Sequence, residues 1–175
     1  MTRAATALAT IALAASVGFA PSAAAQGAAV EPRAAFEQLK SLAGTWQGPA
    51  GHGNLDQAAT VVYRVASNGS VVQETLFPGT PHEMISMYHL ADGKLVMTHY
   101  CAMGNQPRMK LDASASTPQR LVFAFDGGTN FDAAKDGHVH SGVLELKGDT
   151  VRADWAVWNG GKEAGHNVFE LHRAK

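Results

Sequence analysis

Cysteine occurs once in 175 residues, at Cys101, so no disulfide can close within the chain and a hydrophobic core must hold the fold together. An excess of charge is missing too: 14 basic residues stand against 15 acidic ones. That balance supplies no field to draw a nucleic acid or an anionic membrane surface, and neither partner is expected. After the first residues no run is long and apolar enough for an integral membrane segment. Helical periodicity is also scarce, appearing once before a long series of strand patterns.

What is present begins with a leader. "MTRAATALATIALAASVGFAPSAAAQ" sets one positive charge, Arg3, before an alanine-rich apolar run. The run ends in the small triplet Ala23-Ala24-Ala25, the pattern of a secretory signal peptide. Residues 1–25 are therefore expected to be cleaved, with export to the periplasm or the exterior, and residues 26–175 to form a single domain with one core.

"AAFEQLKSLAG" spaces Phe36, Leu39 and Leu42 as one face of a short helix stopped by Gly44. Alternating segments follow, separated by Asn68-Gly69, Pro78-Gly79, Asp92-Gly93, Gly148-Asp149 and Gly160-Gly161. With the piece around Trp46 they predict about ten strands. The expected class is all-β: an antiparallel up-and-down barrel with a short N-terminal helix, since closure removes exposed edges.

A short helix, then Gly44-Thr45-Trp46 opening the first strand, then a meander to the C-terminus resembles the calycin superfamily: lipocalins, fatty-acid-binding proteins and nitrobindin-like barrels. The resemblance implies a tryptophan at the closed end, Trp46, under an arginine from the last strand, Arg173, with Gly44, Trp46 and Arg173 in structural roles. The chain lacks the C-terminal helix of lipocalins and the helical lid of fatty-acid-binding proteins, so nitrobindin-like or bacterial lipocalin-like forms fit better. The nitrobindin-like likeness also implies haem, with His166 or His172 in the position of its ligand.

Turn chemistry fixes register, and register says which side chains share a face. A two-residue turn at Asp92-Gly93 sets Leu90 opposite Leu95, Tyr88 opposite Met97, Ser86 opposite His99 and Met84 opposite Cys101, on the inward face. A turn at Gly148-Asp149 sets Glu145 against Arg152 outside, with Leu144, Leu146, Val151 and Trp155 inside and His138 and His140 on that inner face. For the last hairpin, including Asn159 in the loop sets His166 outside opposite Asp154 and buries Phe169 and Leu171, which favours that register.

These faces support several chemistries. The leading one is a small apolar or amphipathic molecule held by Met84, Tyr88, Met97, His99, Cys101, Phe123, Phe125 and Trp155, with Arg108 in "GNQPR" as polar anchor at the mouth beside Asn105 and Gln106. A metal- or haem-dependent enzyme is the alternative: His138 and His140 with His99 and Cys101 offer nitrogen and sulfur to zinc or copper. Against that stands a plain reading in which His99 bonds Ser86 and the other two sit hydrated near the rim. Cys101 with His99 as a thiol nucleophile and its base suffers from a strand spacing that keeps the two side chains apart. "DGGTNFDAAKDG" is acidic without the spacing of a calcium loop. Asn68-Gly69-Ser70 matches a glycosylation acceptor but reads as a hairpin turn. A solid barrel docking a partner on the apolar outer face of its fourth and fifth strands is the third reading, and a monomer or homodimer is expected.

Overall fold

The computed structural model describes Met1 and residues 29–175. Apart from Met1, the signal-peptide reading lies outside the described residues. One helix, α1 (Pro32–Ser41), precedes ten strands: β1 (Gly44–His52), β2 (Gln57–Ala66), β3 (Val71–Leu76), β4 (Met84–Ala91), β5 (Lys94–Tyr100), β6 (Gln106–Leu111), β7 (Arg120–Thr129), β8 (His138–Lys147), β9 (Thr150–Asn159) and β10 (Lys162–Arg173). Each strand pairs antiparallel with its sequence neighbours, and β1 pairs with β10 to close the barrel. The expected class is the observed one. Gln106 opens β6 instead of standing in a loop.

The turns work as their residues dictate. Asp92 and Gly93 adopt φ of 48° and 76°, and Gly160 and Gly161 adopt 61° and 71°. Two successive left-handed residues give the tight hairpin whose twist matches the strands. The β4–β5 register is Ser86↔His99, Tyr88↔Met97 and Leu90↔Leu95, ending at Ile85↔Tyr100, so Met84 has no ladder partner in Cys101. Glu145 opposes Arg152, and Leu144, Leu146, Val151 and Trp155 are buried.

Three ladders shift by one residue: β6–β7 between Pro107 and Met109, β8–β9 and β9–β10, and the last two carry histidines away from the simple alternation. Between Val139 and Ser141 the β8 ladder shifts by one residue, with Val139 opposite Val157 and Gly142 opposite Trp155. His138 alternates with Val139, which lines the interior, and so turns to the other face of the sheet beside Trp158. The expected inward pair of histidines is thereby overturned. In the last hairpin Gly160-Gly161 alone makes the turn, with Lys162 opposite Asn159. A bulge between Glu163 and Gly165, not a longer loop, then restores the register that buries Phe169 and Leu171. His166 does lie outside, but its ladder partner is Ala156, and it reaches Asp154 through a 2.6 Å contact from Nδ1 to Oδ1.

The closed end is built around Trp46, which is fully buried. Pro32 in the first turn suits the start of α1, where its missing N–H costs nothing. The helix lays Ala35, Phe36 and Leu39 against the barrel core. The Trp46 indole N–H donates to the Leu42 carbonyl at 2.7 Å, fixing the C-terminus of α1 to β1. Arg173, opposite Trp46 in the ladder, places its guanidinium 4.4 Å from the indole centroid. From there Nη1 donates to the Ala43 carbonyl at 2.9 Å and Nη2 to the Ser41 carbonyl at 3.1 Å. A Cβ on Gly44 would stand 3.0 Å from Nη1, and its φ of 130° already disfavours any other residue.

The planar fork both stacks and satisfies two carbonyls, which an ammonium cannot do from one position. Arg173→Lys should therefore lower stability by about 1–2 kcal/mol, read as an earlier midpoint in urea unfolding. An unchanged midpoint would show that the clasp is not needed.

Candidate functional site

Opposite the plugged end, the interior is not filled. A cavity of about 190 Å³ opens there between the ends of the strands. Leu76, Met84, Met97, Val139, Trp155, Val157 and Phe169 form its apolar wall, and Ser86, His99 and Cys101 add polar atoms. His52, Asn167 and Met103 complete the lining. His52 is exposed, and its Nδ1 lies 3.1 Å from Asn167 Oδ1. Gly165 makes room for that ring, since a Cβ there would stand 2.7 Å from it. Trp155 lies flat across Gly142, where a Cβ would be 1.9 Å from the indole. Glycine at 142 therefore lets a tryptophan serve as a wall.

Beside the cavity runs a polar row that the alternation of β2 to β5 generates. Tyr63 opposes Glu74, Glu74 opposes Ser86, and Ser86 opposes His99, four neighbours across four strands on the inward face. Tyr63 Oη donates to Glu74 Oε1 at 2.6 Å and Tyr88 Oη to Oε2 at 2.8 Å. The Ser86 hydroxyl is the third donor near that carboxyl. Burial pushes the Glu74 pKa up, opposed by these three hydroxyls, and burial beside the carboxyl pushes both tyrosines far up. The short contacts suit an ionised carboxylate, whose hydrogen bonds are the strong class.

His99 ends the row. Its Nδ1 lies 3.1 Å from Ser86 Oγ, whereas its Nε2 is buried without any partner. Burial lowers its pKa to about 4, so the ring is neutral at neutral pH.

Of the residues expected around a ligand, Met84, Met97, His99, Cys101 and Trp155 do meet in the cavity wall. Tyr88 and Phe123 belong to the packed core instead, in an edge-on contact at 5.7 Å, with Phe123 passing on to Trp155 at 6.4 Å. Phe125 stacks on His140 and Arg108 is exposed; neither lines the cavity. Asn105 and Gln106 are occupied in tying loops, Asn105 Nδ2 to the Gly137 carbonyl and Gln106 Oε1 to Thr129 and Asn130. Glu74 and Tyr63 were missed by sequence reasoning. A carboxylate between Val72 and Leu76 on the inward parity of β3 is the signal that could have found them.

His138 and His140 are not brought to His99 and Cys101. Their imidazoles form an aromatic stack instead: His140 lies between Trp158 at 3.9 Å and Phe125 at 4.4 Å. His138 Nδ1 lies 2.9 Å from the Asp136 carbonyl and must donate to it, so Nε2 accepts from His140 Nδ1 at 3.1 Å. Among the described residues no group of three His, Cys, Asp or Glu is placed to hold a metal ion. The acidic loop is engaged by lysines, Asp132 by Lys135 within it and Asp126 by Lys110 of β6. Haem does not fit: the cavity of about 190 Å³ falls far short of a porphyrin, and His166 and His172 alternate with inward Leu171 and Phe169 onto the outer face. The thiol pairing of Cys101 with His99 has no hydrogen bond, since His99 Nδ1 is bonded to Ser86.

The chain is thus a closed ten-stranded antiparallel barrel with an interior cavity, compatible with a calycin-like fold. No protein-family model matches it, and no curated protein matches its sequence. Among the described residues no helix is long and apolar enough to cross a membrane.

A neutral buried histidine has a sign in pH. The unfolded chain takes up the His99 proton near 6.5 and the folded one only near 4, so stability is full above 6.5 and is lost as pH falls through that window. Glu74 works the other way, since its raised pKa favours the folded state as protons are added. The difference in unfolding free energy between the protein and His99→Gln isolates the histidine. It should shrink by about 3 kcal/mol between those pH values, and a constant difference would contradict the burial of a neutral ring.

Proposed function

We propose that this is an exported calycin-like barrel that binds a small, mostly apolar molecule in the cavity opposite its plugged end. The observation that carries this reading is the cavity itself: an otherwise packed interior stops short, leaving about 190 Å³ lined by Met84, Met97, Trp155, Val157 and Phe169. An apolar void of roughly 150 Å³ suffices to take up benzene, so the space suits a monocyclic compound. Burial of the ligand supplies affinity, and the few polar atoms around it orient the molecule. The methionines let the wall adapt to shape. The leader Met1–Ala25 supports export, because an apolar run that ends in small residues is what signal peptidases process.

Toluene and indole are suitable probes. A ligand that binds only the folded state at about a hundred times its Kd adds about 2.7 kcal/mol. In a domain of this size that raises Tm by roughly 5–10 °C. Val157→Phe, which fills the space from β9, should abolish the shift while the variant keeps its far-ultraviolet dichroism. Absence of a shift with either probe up to its solubility, or an undiminished shift in Val157→Phe, would refute the reading.

A further inference from the structure

We infer that His99 presents a bare imidazole nitrogen to the cavity, so that the molecule bound there is an apolar compound carrying one hydrogen-bond donor, of the phenol or alcohol class. This rests on the reading of the cavity as a binding site and names what that site selects.

The argument is a count of protons along the row. Each phenol has one hydrogen, and both are committed to Glu74, Tyr63 to one carboxylate oxygen and Tyr88 to the other. Ser86 has one hydrogen and three acceptors around it: His99 Nδ1 at 3.1 Å, the Glu74 carboxylate opposite it in the ladder, and the Tyr88 phenol oxygen. The charged acceptor is the stronger. With that hydrogen directed at Glu74, Ser86 Oγ is left to accept, and the contact at 3.1 Å becomes Nδ1–H donating to Oγ. A neutral imidazole carries a single N–H. Nε2 is then a lone pair, buried and unpartnered, on a side chain that lines the cavity. Burial holds the ring in the neutral form that this count requires.

No donor in the wall, the Trp155 indole N–H and the Cys101 thiol included, stands within hydrogen-bond distance of that lone pair. His52 and Asn167 are bonded to each other at the rim, and thioethers only accept, weakly. Among the described residues no further His, Cys, Asp or Glu stands with His99 in a group able to hold a cation. A ketone, ether or carboxylate would set lone pair against lone pair. A hydroxyl satisfies the orphaned acceptor of the wall, and leaving such a buried group unmet is expensive. Tyr63, Glu74 and Ser86 are positioning residues here: they set the tautomer and do not touch the ligand's hydroxyl.

Three probes of nearly one shape test the inference by calorimetric titration of the full mature chain: para-cresol, toluene and para-tolualdehyde. Para-cresol should bind roughly ten-fold tighter than either of the others. Ser86→Ala, which releases the tautomer, should bring the cresol-to-toluene ratio toward one, and nitrogen-15 NMR of the free protein should show His99 protonated at Nδ1. An Nε2-protonated ring, tighter binding of the aldehyde, or an unchanged ratio in Ser86→Ala would overturn the inference. Equal binding of all three would overturn it and leave the cavity reading standing. Binding of none would remove the cavity reading itself and the inference with it.

Discussion

The seam between β1 and β10 is the constraint on which everything else rests. It joins Trp46 to Arg173 and Ala50 to Phe169, so that a ten-stranded ribbon has no free edge and encloses a space with two different ends. At one end α1, Trp46 and Arg173 fill that space, each holding a group of another: indole to Leu42, guanidinium to indole, guanidinium to the carbonyls of Ser41 and Ala43. At the other end the side chains of Leu76, Met97 and Phe169 stop short of one another. A closed shape with one sealed end can hold a small molecule and leaves it a single approach.

The interior of this barrel is also more polar than a simple alternating pattern requires. Glu74 could lower the cost of its burial by turning to solvent, but its place between Val72 and Leu76 on β3 does not permit it. The surrounding hydroxyls offset part of that cost, and the row they form ends at the one buried imidazole nitrogen without a partner. Structure and chemistry meet at that atom, because the same register that stacks Tyr63, Glu74, Ser86 and His99 side by side also delivers His99 to the cavity.

Most of the fold was legible because the turns speak plainly. Asp92-Gly93 and Gly148-Asp149 set register for β4–β5 and β8–β9, and the buried faces followed from it. The departures came where the ladder gains a residue. Nothing in "HVHSGVLELK" signals the bulge near His140, since the sequence alternates smoothly through it, and one extra residue was enough to move His138 from the inner face to the outer. In the candidate site, Met84, Met97, His99, Cys101 and Trp155 were found through two hairpins whose registers were known. Their meeting in one cavity depends on the curvature of the whole sheet, which no single hairpin encodes. Phe125 failed as a wall residue because β7 leaves β8 beyond Phe123, and Arg108 because it alternates with buried Met109 on β6 and so stands on the outer face.

The clasp at Arg173 bears on how the molecule is made. Its partner carbonyl at Ala43 lies 130 residues earlier in the chain. Loop-closure entropy grows with such separations, and folds dominated by non-local pairing form slowly. The outer edge of β1 stays uncovered until β10 has been made. The barrel is therefore an open sheet until β10 meets β1, and its closing step is the longest-range pairing in the fold.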